Sequence, residues 1–244
     1  MAKRSRYLAA VLAVSLFAGF SVSLAEPPAP KWNESARSRK AIAKVRPGLE
    51  KQLEGLHLSW GAPVFLRLFK EERQLELWMK RDQSFALVKT YPICYYSGKL
   101  GPKQAEGDLQ APEGFYGVTS DLMNPWSDYH LSFNIGYPNR FDRSLERTGS
   151  LIMVHGNCVS IGCFAMTDPA IEEIWALVDA ALRGGQKRVP VHVFPFHLTD
   201  TKLDRFSSSP WSAFWKNLQE GYLLFEERRR PPIVSVKGGR YRFR

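Results

Sequence analysis

Leu151-Ile152-Met153-Val154-His155-Gly156-Asn157-Cys158-Val159-Ser160-Ile161-Gly162-Cys163 is the stretch on which the reading of this chain turns. Its first four residues form a continuous apolar run, the pattern of a strand buried on both faces. The run ends on an imidazole, and eight positions later a thiol precedes Asp168-Pro169, which reads as an N-cap followed by proline at the first helical position. Ile171, Ile174, Trp175, Val178 and Leu182 then share one helical face, and Gly184-Gly185 closes the helix. A buried strand, a glycine-bearing turn rich in ionisable groups, and a helix point to an α+β frame with chemistry at its junction.

Working outward, the sequence before this stretch is β-rich. Val64 to Phe69 is strand-like, Leu75-Glu76-Leu77-Trp78-Met79 alternates as a half-buried strand should, and Phe85 to Ile93 supplies a third strand. The connections between them are too short for parallel crossovers, so an antiparallel meander is expected. Ahead of the meander, Ala41, Val45, Leu49 and Leu53 give Lys31–Leu58 a weak helical spacing, interrupted at Pro47-Gly48. Ser97 to Gly117 reads as a long functional loop leading into another strand. After the central helix, Val189 to Phe196 reads as a strand placed at a sheet edge by Pro190. Pro210 to Leu218 reads as a short amphipathic helix carrying Trp211, Phe214, Trp215 and Leu218, followed by a basic tail with Arg228-Arg229-Arg230. No internal repeat is visible. The fold class expected is a β-rich α+β domain with peripheral helices.

The chain has 244 residues, 44% of them hydrophobic, which suits one sizeable domain with appendages and excludes collagen-like, coiled-coil and multi-span membrane classes. Lys3, Arg4 and Arg6, an apolar run from Tyr7 to about Leu24, and Ser23-Leu24-Ala25 have the form of a removable export signal over residues 1–25. Retention of that run as a membrane anchor is the alternative; its short length and the following Glu26-Pro27-Pro28-Ala29-Pro30 favour cleavage and no stable membrane span afterwards. The formal charge is +10, or +7 without the three signal charges, which suits an anionic partner. Export makes an envelope polymer, and not a nucleic acid, the expected one.

Three cysteines, Cys94, Cys158 and Cys163, are an odd number for an exported chain, so at least one thiol stays free, pairs with another molecule or binds something. Cys163 follows Gly162, which permits a tight loop and lets backbone N–H groups at Ile161, Gly162 and Cys163 approach a developing oxyanion. An imidazolium and a helix N-terminus nearby would favour a thiolate at neutral pH. Three other readings stay open. Cys163 and His155 are a buried cysteine and a strand-end histidine with ordinary hydrogen bonds; His155, Cys158 and Cys163 form an H-x2-C-x4-C zinc set lacking a convincing fourth ligand; or Cys94 and Cys158 are a disulfide, a pairing that sequence does not decide.

His155-Gly156 followed by Ser160-Ile161-Gly162-Cys163 and Met166 resembles the signature of the L,D-transpeptidase (YkuD-like) catalytic domain, a cysteine-dependent family acting on bacterial peptidoglycan. Ala111-Pro112-Glu113-Gly114-Phe115-Tyr116 resembles that family's Thr-Pro-x-Gly-x-Phe/Tyr element. The resemblance covers about residues 63–196, leaving 26–62 as a helical lead-in and 197–244 as a helical and basic extension. It implies a YkuD-like β-sandwich in which Cys163 is the acylated nucleophile, His155 its base and Gly156 the carbonyl that orients the imidazole, with no metal or cofactor. Two residues depart from the family pattern: Ile161 replaces the histidine of Ser-His-Gly-Cys, and Ala165 stands where an arginine is usual. The His-to-Cys interval is also short.

With Phe69-Lys70-Glu71-Glu72-Arg73 and Tyr96-Ser97-Gly98-Lys99-Leu100-Gly101-Pro102-Lys103, these departures look closest to the YafK/DpaA-type branch, which hydrolyses the link between Braun-type lipoprotein and diaminopimelate in peptidoglycan. Transpeptidation, forming cross-links or lipoprotein attachments, is the alternative, and a non-catalytic zinc-stabilised wall-binding domain is a third reading. Lys103 is a candidate for a substrate carboxylate or a solvated loop lysine, and Tyr137 borders the site or is simply packed. Ser160 is a further substrate-binding candidate. His192 is expected to face solvent or a neighbouring strand.

Overall fold

The computed structural model describes residues 32 to 244, so the export signal read at 1–25 and the start of the lead-in lie outside the described residues. The chain begins with α1 (Ala36–Gly55) and then the meander β1 (Val64–Phe69), β2 (Gln74–Arg81) and β3 (Ser84–Pro92). Short strands follow at β4 (Tyr95–Tyr96), β5 (Gly114–Val118), β6 (Met123–Asn124) and β7 (Ser132–Asn134), then α2 (Arg140–Ser144). The central stretch contributes β8 (Met153–His155), β9 (Phe164–Ala165) and α3 (Asp168–Arg183), before β10 (Val189–Phe194). The chain closes with α4 (Asp200–Arg205), α5 (Ser212–Arg228) and a hairpin of β11 (Val234–Lys237) and β12 (Arg240–Phe243).

Two five-stranded sheets organise these elements, one in the order β3-β2-β1-β10-β5 and the other β4-β9-β8-β7-β6. The meander is antiparallel, and β1 pairs parallel with β10. Because side chains alternate along a strand, β1 sends Leu66 and Leu68 to one face and Phe65, Arg67 and Phe69 to the other. Leu66, Leu68, Leu77, Val191 and Val193 share a core with α1, α3 and the second sheet. On the other face, Phe69, Phe115 and Phe194 pack with Trp215, Tyr222 and Tyr241 of α5 and the hairpin. This two-sided burial explains why β1 is apolar almost throughout.

Several expectations need correction. Pro190 does not mark an edge, since β10 lies between β1 and β5. The pairing with β1 begins only at Val191, and Gly117, opposite Pro190, gives its own N–H to Ile135 O, so the missing donor costs no ladder bond. Pro47 does not interrupt α1, which runs through it. Ala41, Leu49 and Leu53, on both sides of the proline, are buried, and that burial offsets the roughly 3 kcal/mol penalty of an internal proline. Leu151 is not in the buried strand; it is exposed, with φ of 56°, and β8 starts two residues later. The last helix extends ten residues past Leu218, because Tyr222 and Phe225 continue its buried face. Within the arginine run Arg229 pairs with Glu226 and lies over Trp78 and Arg230 donates to Gln83 O, while Arg228 makes no such contact among the described residues. His192 is buried between the rings of Phe65 and Phe115, each 4.6 Å from it.

The loop from Ser97 to Pro112 is held by a buried ion pair. Lys70, fully buried at the end of β1, donates to Glu113 Oε1 at 3.0 Å and to the carbonyls of Gly101 at 2.8 Å and Ala111 at 3.0 Å. Glu113 also accepts from Gly101 N at 2.7 Å and from Trp215 Nε1 at 2.7 Å. Removing one partner strands the other charge in the interior. We expect Glu113→Ala to lower stability by about 3–5 kcal/mol in chemical denaturation, and the double variant Lys70→Met/Glu113→Leu to lose less than the two single variants added together.

Candidate active site

β8 is the centre of the second sheet's site region, pairing antiparallel with β7 and parallel with β9. Val154 lies opposite Phe164 and His155 opposite Ala165, so Cys163 falls level with Met153, two positions from His155 across the pair. Eight residues, 156 to 163, suffice to join these parallel neighbours, because both strands are short and the loop has little distance to retrace.

Glycine is required twice in that loop for different reasons. Gly162 has φ of 109°, closed to most side chains. At Gly156 the obstacle is space: a Cβ would lie 2.5 Å from Asp168 Oδ1 and 3.0 Å from Tyr129 O. The crowding reflects how the loop is held. Gly156 N donates to Tyr129 O at 3.0 Å, Asn157 N donates to Asp168 Oδ1 at 2.8 Å, and Met166 N donates to His155 O at 2.7 Å. Asp168 was read as the cap of α3, but Thr167 occupies that position and the carboxylate serves the loop instead. An aspartate beside a proline at a helix start gives no sequence signal for this second use.

The cysteines divide two and one. Cys94 and Cys158 form a disulfide with their Cα atoms 5.3 Å apart, and Cys163 is free. Cys94 N donates to Ala165 O at 2.9 Å and Cys158 N to Met166 O at 3.2 Å, so the bridge clasps the chain just after the free thiol. The disulfide consumes the Cys158 sulfur and removes the proposed His155-Cys158-Cys163 zinc set. Among the described residues no other cluster of three metal-ligating side chains occurs.

His155 is buried, and its Nδ1 lies 2.6 Å from Gly156 O. A carbonyl only accepts, so Nδ1 carries the proton and the Nε2 lone pair of the neutral ring is left for another partner. Burial holds the imidazole below the usual histidine range, against the opposing pull of the Gly156 carbonyl. The Cys163 sulfur accepts from Met153 N at 3.3 Å and lies 3.6 Å from Leu151 O. Burial pushes the thiol up, while the Met153 N–H and the Lys103 charge pull it back down.

The expected thiolate is therefore corrected: the resting pair is a thiol and a neutral imidazole, and among the described residues the two are not hydrogen-bonded to each other.

The other candidates are placed differently from one another. Ser160 Oγ accepts from Cys163 N and donates to Cys163 O, both at 2.8 Å, and so fixes the turn. That contact takes Cys163 N–H out of the expected oxyanion set, whereas the N–H groups of Ile161 and Gly162 make no hydrogen bond among the described residues. Lys103 is buried, with its ammonium 2.6 Å from Asp108 and 2.8 Å from Ala105 O, so it is neither a solvated lysine nor an open carboxylate receptor. The Tyr137 hydroxyl is spent on Thr148 O at 3.1 Å and Lys103 O at 3.4 Å. Sequence reasoning missed Tyr129, whose ring centre lies 4.8 Å from that of His155. Exposed apolar side chains ring the same region: Leu151, Val159 and Ile161, the last 78% accessible.

Residues 65–193 match the family profile described as YkuD, the L,D-transpeptidase catalytic domain. YafK of Escherichia coli K12, whose name places it provisionally among the L,D-transpeptidases, is 48% identical over 181 residues, which is 74% of this chain and 74% of its own. Among solved structures, a point variant of the helical cell shape determining protein Pgp2 from Campylobacter jejuni is 21% identical with a TM-score of 0.46, covering 68% of this chain and 57% of its own. Bd1075 of Bdellovibrio bacteriovorus is 16% identical with a TM-score of 0.40, covering 72% and 78%.

Two outcomes follow from this geometry. Alkylation of Cys163 by iodoacetamide should accelerate with pH towards a midpoint above the 9.0 of an ordinary thiol, without the flat neutral plateau of a preformed thiolate. Cys94→Ser, which opens a bridge spanning 64 residues, should lower stability by about 2–4 kcal/mol in urea titrations.

Proposed function

The chain belongs to the YkuD family of L,D-transpeptidase catalytic domains, and from that premise we propose that it is a periplasmic cysteine hydrolase that detaches covalently linked Braun-type lipoprotein from the diaminopimelate of peptidoglycan. The observation that carries the catalytic part is the single free thiol, Cys163, set immediately before β9, the strand that pairs with the one ending on a histidine whose Nδ1 is committed to a backbone carbonyl. The Cys94–Cys158 disulfide supports an oxidising compartment. Among the described residues no helix is long and apolar enough to cross a membrane.

In this reading Cys163 Sγ attacks the carbonyl carbon of the amide joining diaminopimelate to the lipoprotein's terminal lysine. His155 Nε2 takes the thiol proton as the carbon–sulfur bond forms. The Ile161 and Gly162 N–H groups are the donors for the oxyanion, a contact worth about 3–4 kcal/mol per donor in comparable sites. Collapse breaks the carbon–nitrogen bond, and His155 returns the proton to the departing amine. Water, deprotonated by the same imidazole, then opens the thioester to a free carboxyl and restores the thiol. Starting from a neutral pair, the enzyme requires unprotonated His155, so a base held low by burial keeps working below the ordinary histidine value.

Hydrolysis and transpeptidation share the first half of this scheme and differ in what resolves the thioester. Two features support water. Ala165, where the family usually carries arginine, is fully buried and opposite Tyr95, so that position offers no cation to an incoming carboxylate-bearing acceptor. Ile161, where the family usually has histidine, presents an apolar side chain at the rim.

The test is mass spectrometry of products from defined muropeptides carrying linked lipoprotein. Released lipoprotein and a muropeptide with a free carboxyl support the proposal, while new cross-links or lipoprotein transfer to another stem establish a transferase. Cys163→Ala should reduce turnover by at least about 10³-fold, and an active variant would refute the assignment. The acid limb of kcat/KM should fall with a midpoint below 6.5.

A further inference from the structure

A cavity of about 480 Å³ opens between β5, β10, the α2 segment and the C-terminal hairpin, and none of its lining residues belongs to the Cys163 site. Arg140, Arg143 and Arg188 line it, and no carboxylate does. Arg143 gives one nitrogen to Pro138 O, and the guanidiniums of Arg140 and Arg188 make neither a hydrogen bond nor an ion pair among the described residues.

Several arginines elsewhere in the fold carry carboxylate partners. Arg67 is paired with Glu76 and Glu226, Arg147 with Asp142, and Arg183 with Asp179. Around this hollow three exposed guanidiniums converge with no carboxylate among them, a local excess of positive charge that favours an anion.

Two further observations bear on the hollow. His192, on its wall, is 2% exposed, and its Nδ1 has no hydrogen-bond partner, an arrangement that calls for an explanation in a buried polar atom. Arg188 lies across Gly117, where any Cβ would collide with its guanidinium stem, so a bare α-carbon is what lets the charge lie over β5. The hairpin wall comes from residues beyond the 65–193 family domain, which ties the feature to this chain's own extension.

We propose that this cavity binds a phosphate-bearing ligand, a phosphomonoester or diphosphate on a body of roughly sugar size, gripped by Arg140, Arg143 and Arg188 with His192 on the wall. Guanidinium forks match phosphate oxygens two at a time. A single carboxylate would balance only one of the three charges, whereas a phosphomonoester carries about −1.5 to −2 at neutral pH. The volume falls within the ~300–1,000 Å³ typical of small-molecule sites and is generous for a bare ion. A soluble phosphorylated compound and a lipid headgroup both present this chemistry. The proposal is independent of what Cys163 does.

The experiment uses the full chain without its leader, by calorimetric titration with pyrophosphate, glucose 1-phosphate and acetate, and by co-sedimentation with phosphatidylcholine vesicles with or without phosphatidic acid. Saturable binding of the phosphate compounds over acetate, weakened at least about tenfold in Arg140→Gln and again in Arg188→Gln, supports a soluble ligand. Binding confined to phosphatidic acid vesicles, and lost in the same variants, supports a lipid headgroup. Thermal unfolding of the variants confirms that they fold, and Cys163 alkylation should match the parent. Acetate binding as well as phosphate, no saturable binding in any arm, or variants that bind like the parent would each overturn the proposal.

Discussion

The ion pair of Lys70 and Glu113 is the constraint on which the arrangement of this molecule rests. It joins the end of β1, the loop from Ser97 to Pro112, the start of β5 and the tryptophan of α5 through one charge pair and four further hydrogen bonds. A loop of that length has too little apolar surface to fix itself, and here buried charge supplies what a core would otherwise supply. The loop in turn carries Lys103, whose field reaches the Cys163 thiol. A contact at the end of β1 in the first sheet therefore bears on the electrostatics of the thiol just before β9 of the second.

At the site, desolvation opposes both ionised forms. It raises the thiol and lowers the imidazole, which favours a neutral pair. A neutral thiol is also less prone to oxidation than a thiolate. The Gly156 carbonyl fixes the tautomer, and the adjoining loop is held from three sides by Tyr129 O, Asp168 and the Cys94–Cys158 bridge.

Much of the fold was legible where a local pattern coincided with burial. The meander, the central helix and its glycine end appear within a residue or two of their expected limits, because alternation and helical spacing report directly on which side chains face a core. The errors arise where a distant partner overrides a local signal. Pro190 sits inside a sheet because its neighbours do not need its N–H; Pro47 sits inside a helix because residues on both sides are buried; and α5 outruns its strongest aromatic spacing because Phe225 meets Trp78. In the candidate site, the strand ending on His155 and the turn carrying Cys163 could be read from the local pattern, and the protonation of the two side chains could not. Protonation depends on desolvation by elements far away in the chain, as does the second role of Asp168.

The joining of β8 to β9 separates two quantities that a linear motif conflates. Because the ladder pins Val154 against Phe164, the sheet itself sets where sulfur and imidazole stand, and the intervening segment only has to reach. Residues could be inserted between Ser160 and Gly156 without moving either reactive group, so the brevity of this interval is no defect of placement. What such insertions would alter is the canopy above the thiol. In this chain that segment carries the exposed apolar side chains of Val159 and Ile161.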